Sequence, residues 1–277
     1  MRDDFRRLAH TGLAFNAPLS EERANAFVAA LPISPGHHVL DLGCGWGELL
    51  LRIIAAHSAA SGTGVDTSRE ALDRGVRLAA QRGLYERVEF VEADAATFVD
   101  VADIVICVAA SHAFGGVANA LHWLRECVAP GGRVLYGDGF WAGGPLPASL
   151  ETIGELPRLE EVRAAVQTAG FRIERDEVST LAEWDAFETS WRAGLEASHD
   201  PEAVAFAAER RREYEDGYRN AIGFSWLVLA PVIEEADLAT VLTEAVGTIL
   251  PIEWSTTRSG QPMPDVVGAV ARSRRGR

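Results

Sequence analysis

The residues with the clearest chemical meaning lie in Asp41-Leu42-Gly43-Cys44-Gly45-Trp46-Gly47, directly after the short apolar run Val39-Leu40-Asp41-Leu42. Glycines alternating in this way take positive φ in a tight turn and let a ligand approach the backbone. A helix starting behind them offers free N–H groups. Helical periodicity resumes at Leu49, Leu50, Ile53 and Ile54. Asp66 ends the next apolar run, 19 residues past Gly47, about where a carboxylate following such a loop accepts the ribose hydroxyls of an adenosine. A nicotinamide dinucleotide needs a third glycine in the G-x-G-x-x-G pattern. That position is Glu48, a negative charge where a pyrophosphate would sit.

A parallel sheet is what can hold these residues together. Strand-like runs at Val39–Leu42, Gly62–Asp66, Val88–Glu92, Ile104–Val108 and Val134–Tyr136 alternate with helical patterns over 20–31, 68–81 and 116–128, with Ser20 as an N-cap. Strands alternating with amphipathic helices imply right-handed crossovers and helices on both faces. The second half predicts a helix over 160–169, a sixth strand over 171–178, helices near 182–198 and 202–220, and a seventh strand over 223–229. The expected fold is α/β: a doubly wound, mostly parallel seven-stranded sheet with a helical cap near 182–220 inserted between the last two strands. Trp184, Phe187, Trp191 and Leu195 fall on one face of the first cap helix. They either cover the carboxyl edge of the sheet or pack on it as ordinary core. Residues 1–230 are expected to form the ligand-binding domain. Residues 231–277 form an extension with a helix over 236–246, a strand over 249–254 and a last apolar stretch over 266–271; it could close the sheet edge, cover the site or form a homodimer contact.

Composition narrows the classes. The 277 residues carry a formal charge of −14, which disfavours partners held by phosphate neutralisation, so no nucleic acid is expected. No apolar run approaches the ~20 residues that span a bilayer, and no membrane partner is expected. The charged start, Met1 to Arg7, lacks the apolar core of a secretory signal, and the expected location is the cytoplasm. Cys44, Cys107 and Cys127 are too widely spaced for a zinc site or disulfide framework, and no metal site is expected.

The G-x-G-x-G loop with an aspartate two residues ahead resembles the first motif of the class I, Rossmann-like S-adenosylmethionine-dependent methyltransferases. Val91-Glu92-Ala93-Asp94-Ala95 resembles that family's segment after the third strand. Arg125 to Arg133, with Pro130-Gly131-Gly132, resembles its turn before the fifth strand. Phe15-Asn16-Ala17-Pro18-Leu19-Ser20 is similar to an N-P-L-S segment of a small-molecule branch, interrupted by Ala17. The resemblance spans roughly 10–230 and implies S-adenosylmethionine as cofactor and a small-molecule acceptor. It implies an adenine-amino contact at Asp94, beside Ala95, and a cofactor site comprising Asp41, Gly43, Cys44, Gly45, Gly47, Asp66, Thr67, Asp94, Ala95 and Val108.

Methyl transfer requires alignment, exclusion of water and, for some acceptors, removal of a proton. The loops after the fourth and fifth strands should flank the transferred methyl. His112 is the first candidate base, since imidazole titrates near neutrality; it could equally be a pocket-shaping loop residue. Asp138 is the rival base. Phe15, His112, Phe140, Trp141, Trp184 and Trp191 are the expected acceptor pocket, with aromatic faces suited to an apolar acceptor and a sulfonium. O- or N-methylation is favoured over C-methylation. The alternatives are an NAD-dependent oxidoreductase of similar fold and a cofactor-binding protein without turnover.

Overall fold

Segments that bury side chains on both faces have to lie in the middle of a layered structure. The computed structural model describes residues 2–144 and 156–232. Seven strands form one sheet: β1 (His38–Leu42), β2 (Ser61–Asp66), β3 (Val88–Glu92), β4 (Ala102–Val108), β5 (Val128–Trp141), β6 (Phe171–Val178) and β7 (Ile222–Pro231). Their order is β3-β2-β1-β4-β5-β7-β6. The first five pair in parallel, and β7 lies antiparallel between β5 and β6. The order reverses between β1 and β4, so the loops after these strands diverge and leave a crevice.

Alternation along the strands divides the core. Ile104, Ile106 and Leu135 pack with Phe27 of α2 (Glu21–Ala30) and with Leu50, Ile53 and Ile54 of α3 (Glu48–Ala56). Val105, Cys107, Val134 and Tyr136 face Leu121 and Leu124 of α5 (Val117–Cys127) and Val162 and Val166 of α6 (Leu159–Thr168). Ser20 caps α2 as expected, accepting the Arg23 amide. Ser68 likewise caps α4 (Arg69–Gln81).

Three details depart from the sequence reading. An N-terminal helix, α1 (Asp3–His10), was not anticipated; its charged residues hide an apolar stripe of Phe5, Leu8 and Ala9 that Leu13 continues. Pro130-Gly131-Gly132 is not a turn ahead of a strand but an irregularity within β5, where pairing to β4 jumps from Val128 to Arg133. The second cap helix, α8 (Pro201–Glu213), is shorter than expected and runs into a π-helical turn, Tyr214–Tyr218.

The cap is a small second core. Trp191 and Leu195 of α7 (Leu181–Glu196) pack with Phe5, Ala9 and Leu13, with Ala203 and Ala207 of α8, and with Trp46 from the glycine turn. The aromatic face of α7 is therefore split. Trp191 joins the cap, while Trp184 packs against the sheet core and against Tyr214, Tyr218 and Ile222. Gly194 permits the close approach of α1, since a Cβ there would lie 2.0 Å from the Leu8 carbonyl oxygen. Buried Glu183 fastens α7 to α2 by accepting from Ser20 and Arg23. The expected elements within 231–277 fall at 236–246, 249–254 and 266–271, outside the described residues.

Candidate functional site

The turn after β1 is held from beneath. The amides of Gly43 and Cys44 both donate to the Val65 carbonyl of β2, at 2.9 and 3.0 Å. Gly43, Gly45 and Gly47 all have left-handed backbones, a conformation that costs a residue with a Cβ about 1–2 kcal/mol. Their surroundings assign them different tasks. A Cβ on Gly43 would lie 2.4 Å from that of Ala110, and one on Gly47 would lie 2.6 Å from the Phe90 ring, so these two glycines serve packing. A Cβ on Gly45 would meet no protein atom within 4 Å; the Gly45 backbone is the part open to a ligand.

Carboxylates surround this turn. Asp66 accepts the Gly45 amide on Oδ2 and the Ser68 amide on Oδ1, both at 2.8 Å. It thereby ties the glycine turn to the start of α4 and keeps lone pairs for hydroxyl donors. Asp94 accepts the Ala96 amide at 2.9 Å on one oxygen, which orients the other. Asp41 is 4% exposed and has no hydrogen-bond donor among the described residues. Burial, with the charge of Asp66 added, pushes its carboxyl up to about 8. An acid in that state is a receptor for a cation, whose arrival would restore its ionised form.

These groups line a cavity of about 820 Å³ running from the strand ends to the underside of the cap, within the ~300–1,000 Å³ range of small-molecule sites. Of the residues singled out from sequence, Asp41, Gly43, Cys44, Gly45, Asp66, Thr67, Asp94, Ala95 and Val108 line it, as do Phe15, His112 and Trp191.

Gly47, Asp138, Phe140, Trp141 and Trp184 are not among its lining. Phe140 shares the α5/α6 face with Tyr136, and its ring lies against Gly223. Trp141 lies under the Arg158 guanidinium at 4.1 Å. Trp184 is turned into the packing described above. The expected aromatic pocket thus reduces to Phe15 and Trp191. Asp138 does not face the cavity either; its Oδ2 accepts the Ser111 amide at 3.2 Å.

That bond belongs to a braced loop. After β4 the chain passes through Ala109, whose φ of +55° is left-handed. It is held there by the Ala109 amide donating to the Gly137 carbonyl at 2.8 Å. The buried Ser111 hydroxyl shares a 2.8 Å hydrogen bond with the Tyr136 hydroxyl. A 3₁₀ turn, Ser111–Phe114, then presents His112 on the exposed side of the loop, along the cavity. Strain persists where surrounding structure over-determines it, and such places cluster at functional sites.

The sequence reading missed Trp46 and Arg74. The Trp46 indole N–H donates to the Ala14 carbonyl at 2.7 Å, and the Arg74 guanidinium lies 4.0 Å over its ring. Arg74 donates to the His10 and Leu13 carbonyls at 2.7 and 2.6 Å. Together they lock the end of α1 over the glycine turn. A tryptophan set between two glycines was the signal for this role. Among the described residues no group of three or more His, Cys, Asp or Glu side chains could hold a metal ion.

A turn open at Gly45, a buried acid with no donor among the described residues and two further carboxylates at neighbouring strand ends suit an adenosine ligand with a cationic amino acid tail better than a dinucleotide. Residues 39–132 match a family model described as a methyltransferase domain. The chain is 32% identical over 210 residues to the uncharacterized protein YjhP of Escherichia coli K12, covering 71% of this chain and 82% of that one. The crystal structure of YjhP superposes with a TM-score of 0.73 over 82% of this chain and 99% of that one. A methyltransferase from Geobacter sulfurreducens, crystallised with S-adenosyl-L-homocysteine, is 27% identical with a TM-score of 0.73, over 82% of this chain and 98% of that one. The 27-O-demethylrifamycin SV methyltransferase of Amycolatopsis mediterranei is 29% identical over 161 residues, 53% of this chain and 58% of that one.

The chain belongs to the class I S-adenosylmethionine-dependent methyltransferases. Its cofactor is S-adenosylmethionine, and the oxidoreductase alternative falls. Glu48, which argued against a dinucleotide, is engaged by Arg52 and Arg82, both at 2.8 Å. No helix among the described residues is long and apolar enough to cross a membrane.

Proposed function

We propose that this enzyme methylates a small-molecule acceptor in the cytoplasm, at oxygen or nitrogen, with His112 as the group that takes the acceptor's proton. The observation that carries this reading is the roof formed by α1 and α7 over the glycine turn, beneath which the cavity of about 820 Å³ has the size of a small-molecule site. The name of the rifamycin enzyme, an O-methyltransferase of a small molecule, lends support.

The roles follow from the chemistry of each group. Gly45 and Asp66 receive the cofactor's backbone and ribose edges, Asp94 its adenine amino group, and Asp41 its ammonium. When bound, S-adenosylmethionine supplies an electrophilic methyl carbon on a sulfonium. Beyond it, Phe15, Leu19, Ile106, Val108, Trp191 and Trp226 give an apolar lining that excludes water from the acceptor side. Asn16 and His112 are the polar side chains on that side able to orient a nucleophile; neither is engaged by another side chain among the described residues. An imidazole nitrogen of His112 accepts the proton that an attacking hydroxyl or amine releases. Asp138 acts through the loop.

The test is a screen of hydroxylated and amine-bearing small molecules with isotopically methyl-labelled cofactor, read by mass spectrometry. Transfer to a small molecule that His112→Ala lowers about 10²–10⁴-fold, without weakening S-adenosylhomocysteine binding, supports the reading. Full activity in that variant returns His112 to a pocket residue, and transfer to protein or nucleic acid alone defeats the assignment of the acceptor.

A further inference from the structure

All 26 basic residues of this acidic chain are arginines, and 21 of them lie in the described residues. Thirteen of those reach a carboxylate within 4 Å. Of the eight that reach none among the described residues, four converge on one place: Arg6 and Arg7 of α1 and Arg74 and Arg77 of α4 all line the cavity. Arg74 is spent on two carbonyls and the Trp46 ring. Arg6, Arg7 and Arg77 are exposed and engage no carboxylate among the described residues.

In a chain with 14 excess acids, three guanidinium groups around one opening that no described carboxylate meets point to a counter-charge brought by a ligand. Glu70, also on α4 and along the cavity, offsets one charge and leaves the balance positive. His10, which lines the same opening, stays neutral more readily than a free histidine. Burial disfavours its charged form, and the charges of Arg6 and Arg74 add to this. The cavity is therefore polarised, with carboxylates at the strand ends and guanidinium groups between α1 and α4.

We propose that the methyl acceptor is an anion, and that Arg6, Arg7 and Arg77 receive its carboxylate or phosphate group at the mouth of the cavity. Arginine is suited to both, since its planar fork matches either oxyanion. Local positive charge also overcomes the repulsion that a chain of net charge −14 would exert on an anionic acceptor. This inference rests on the methyltransferase reading of the same cavity.

The experiment follows the His10 ring by NMR in full-length protein saturated with S-adenosylhomocysteine, with the resonance assigned by its loss in His10→Asn. Sodium phosphate and sodium succinate are titrated separately against sodium chloride at matched ionic strength. The expected result is a saturable displacement with phosphate or succinate but not chloride, weakened at least tenfold in the Arg6→Gln, Arg7→Gln, Arg77→Gln triple variant. Saturation by one anion and not the other identifies a phosphorylated or a carboxylated acceptor.

A displacement that follows ionic strength alone, or that persists in the triple variant, overturns the proposal. So does loss of S-adenosylhomocysteine affinity in that variant, because the arginines would then serve the cofactor's own carboxylate. Calorimetry with S-adenosylhomocysteine on the unmodified protein keeps the two readings apart: its failure would defeat the cofactor assignment, whereas normal binding without anion capture defeats only this inference.

Discussion

The Asp66 carboxylate accepts the Gly45 amide at 2.8 Å, so the acid at the end of β2 holds the glycine turn as well as facing the cavity. Its replacement has two consequences. Asp66→Ala removes the ribose acceptor and releases the turn, and charge-assisted hydrogen bonds are worth about 1.5–3 kcal/mol each. Affinity for S-adenosylhomocysteine should fall at least about 10-fold. Asp66→Asn keeps one oxygen for the Gly45 amide and should lose less. Unchanged affinity by calorimetry in Asp66→Ala would remove the assignment.

Gly45 and Gly43 should fail differently when substituted. Gly45→Val places a branched side chain at φ +56°, where its Cβ meets no protein atom within 4 Å, so the protein should fold with a backbone strain of about 1–2 kcal/mol and a blocked ligand surface. Gly43→Ala collides with Ala110 and should lower the unfolding temperature. A Gly45→Val protein that binds S-adenosylhomocysteine normally would show that this backbone does not meet the cofactor.

Asp41 gives a pH signature. Its carboxyl is raised from 3.8 to about 8 by burial and by Asp66. Because the folded state holds this proton more tightly than the unfolded chain, the stabilisation is full below about pH 4 and is lost as pH rises to about 8. A ligand ammonium favours the ionised form, so binding at pH 7 should release a proton and tighten as pH rises from 6 to 8. Calorimetry in buffers of differing ionisation enthalpy measures the release. Asp41→Asn should abolish it, and proton uptake on binding would contradict the assignment.

The loop carrying His112 should be a positioning device separable from cofactor binding. Asp138→Ala frees the Ser111 amide, and Tyr136→Phe removes the partner of the Ser111 hydroxyl. Both should lower kcat for whatever acceptor the screen yields, while S-adenosylhomocysteine affinity stays within about twofold. Loss of affinity in proportion to kcat would mean that the loop serves the cofactor instead. Ala109→Gly should raise stability by about 1 kcal/mol, because it relieves the left-handed conformation seen at φ +55°.

Much of the cofactor half was legible because its chemistry is local. The glycine turn, Asp66 and Asp94 sit at strand ends, and short apolar runs fix where strands end. The acceptor half is assembled from distant pieces, and there the reading was weaker. Trp184 and Trp191 share a helix face, yet Gly194 lets α1 dock beside Trp191 and draws it into the cap, leaving Trp184 to the sheet. Phe140 and Asp138 were placed near the methyl by their loop, but strand alternation turns Phe140 away and the Ser111 amide claims Asp138. Helix α1 was hidden because charged residues outnumber the apolar stripe that carries its packing.

The most direct measurement is a calorimetric titration of the purified protein with S-adenosyl-L-homocysteine, with NAD(H) in parallel. Micromolar binding of the first at one site per chain, about −8 kcal/mol, and none of the second is the expected result. Binding of NAD(H) alone would contradict the reading of the glycine turn and of the three carboxylates around it.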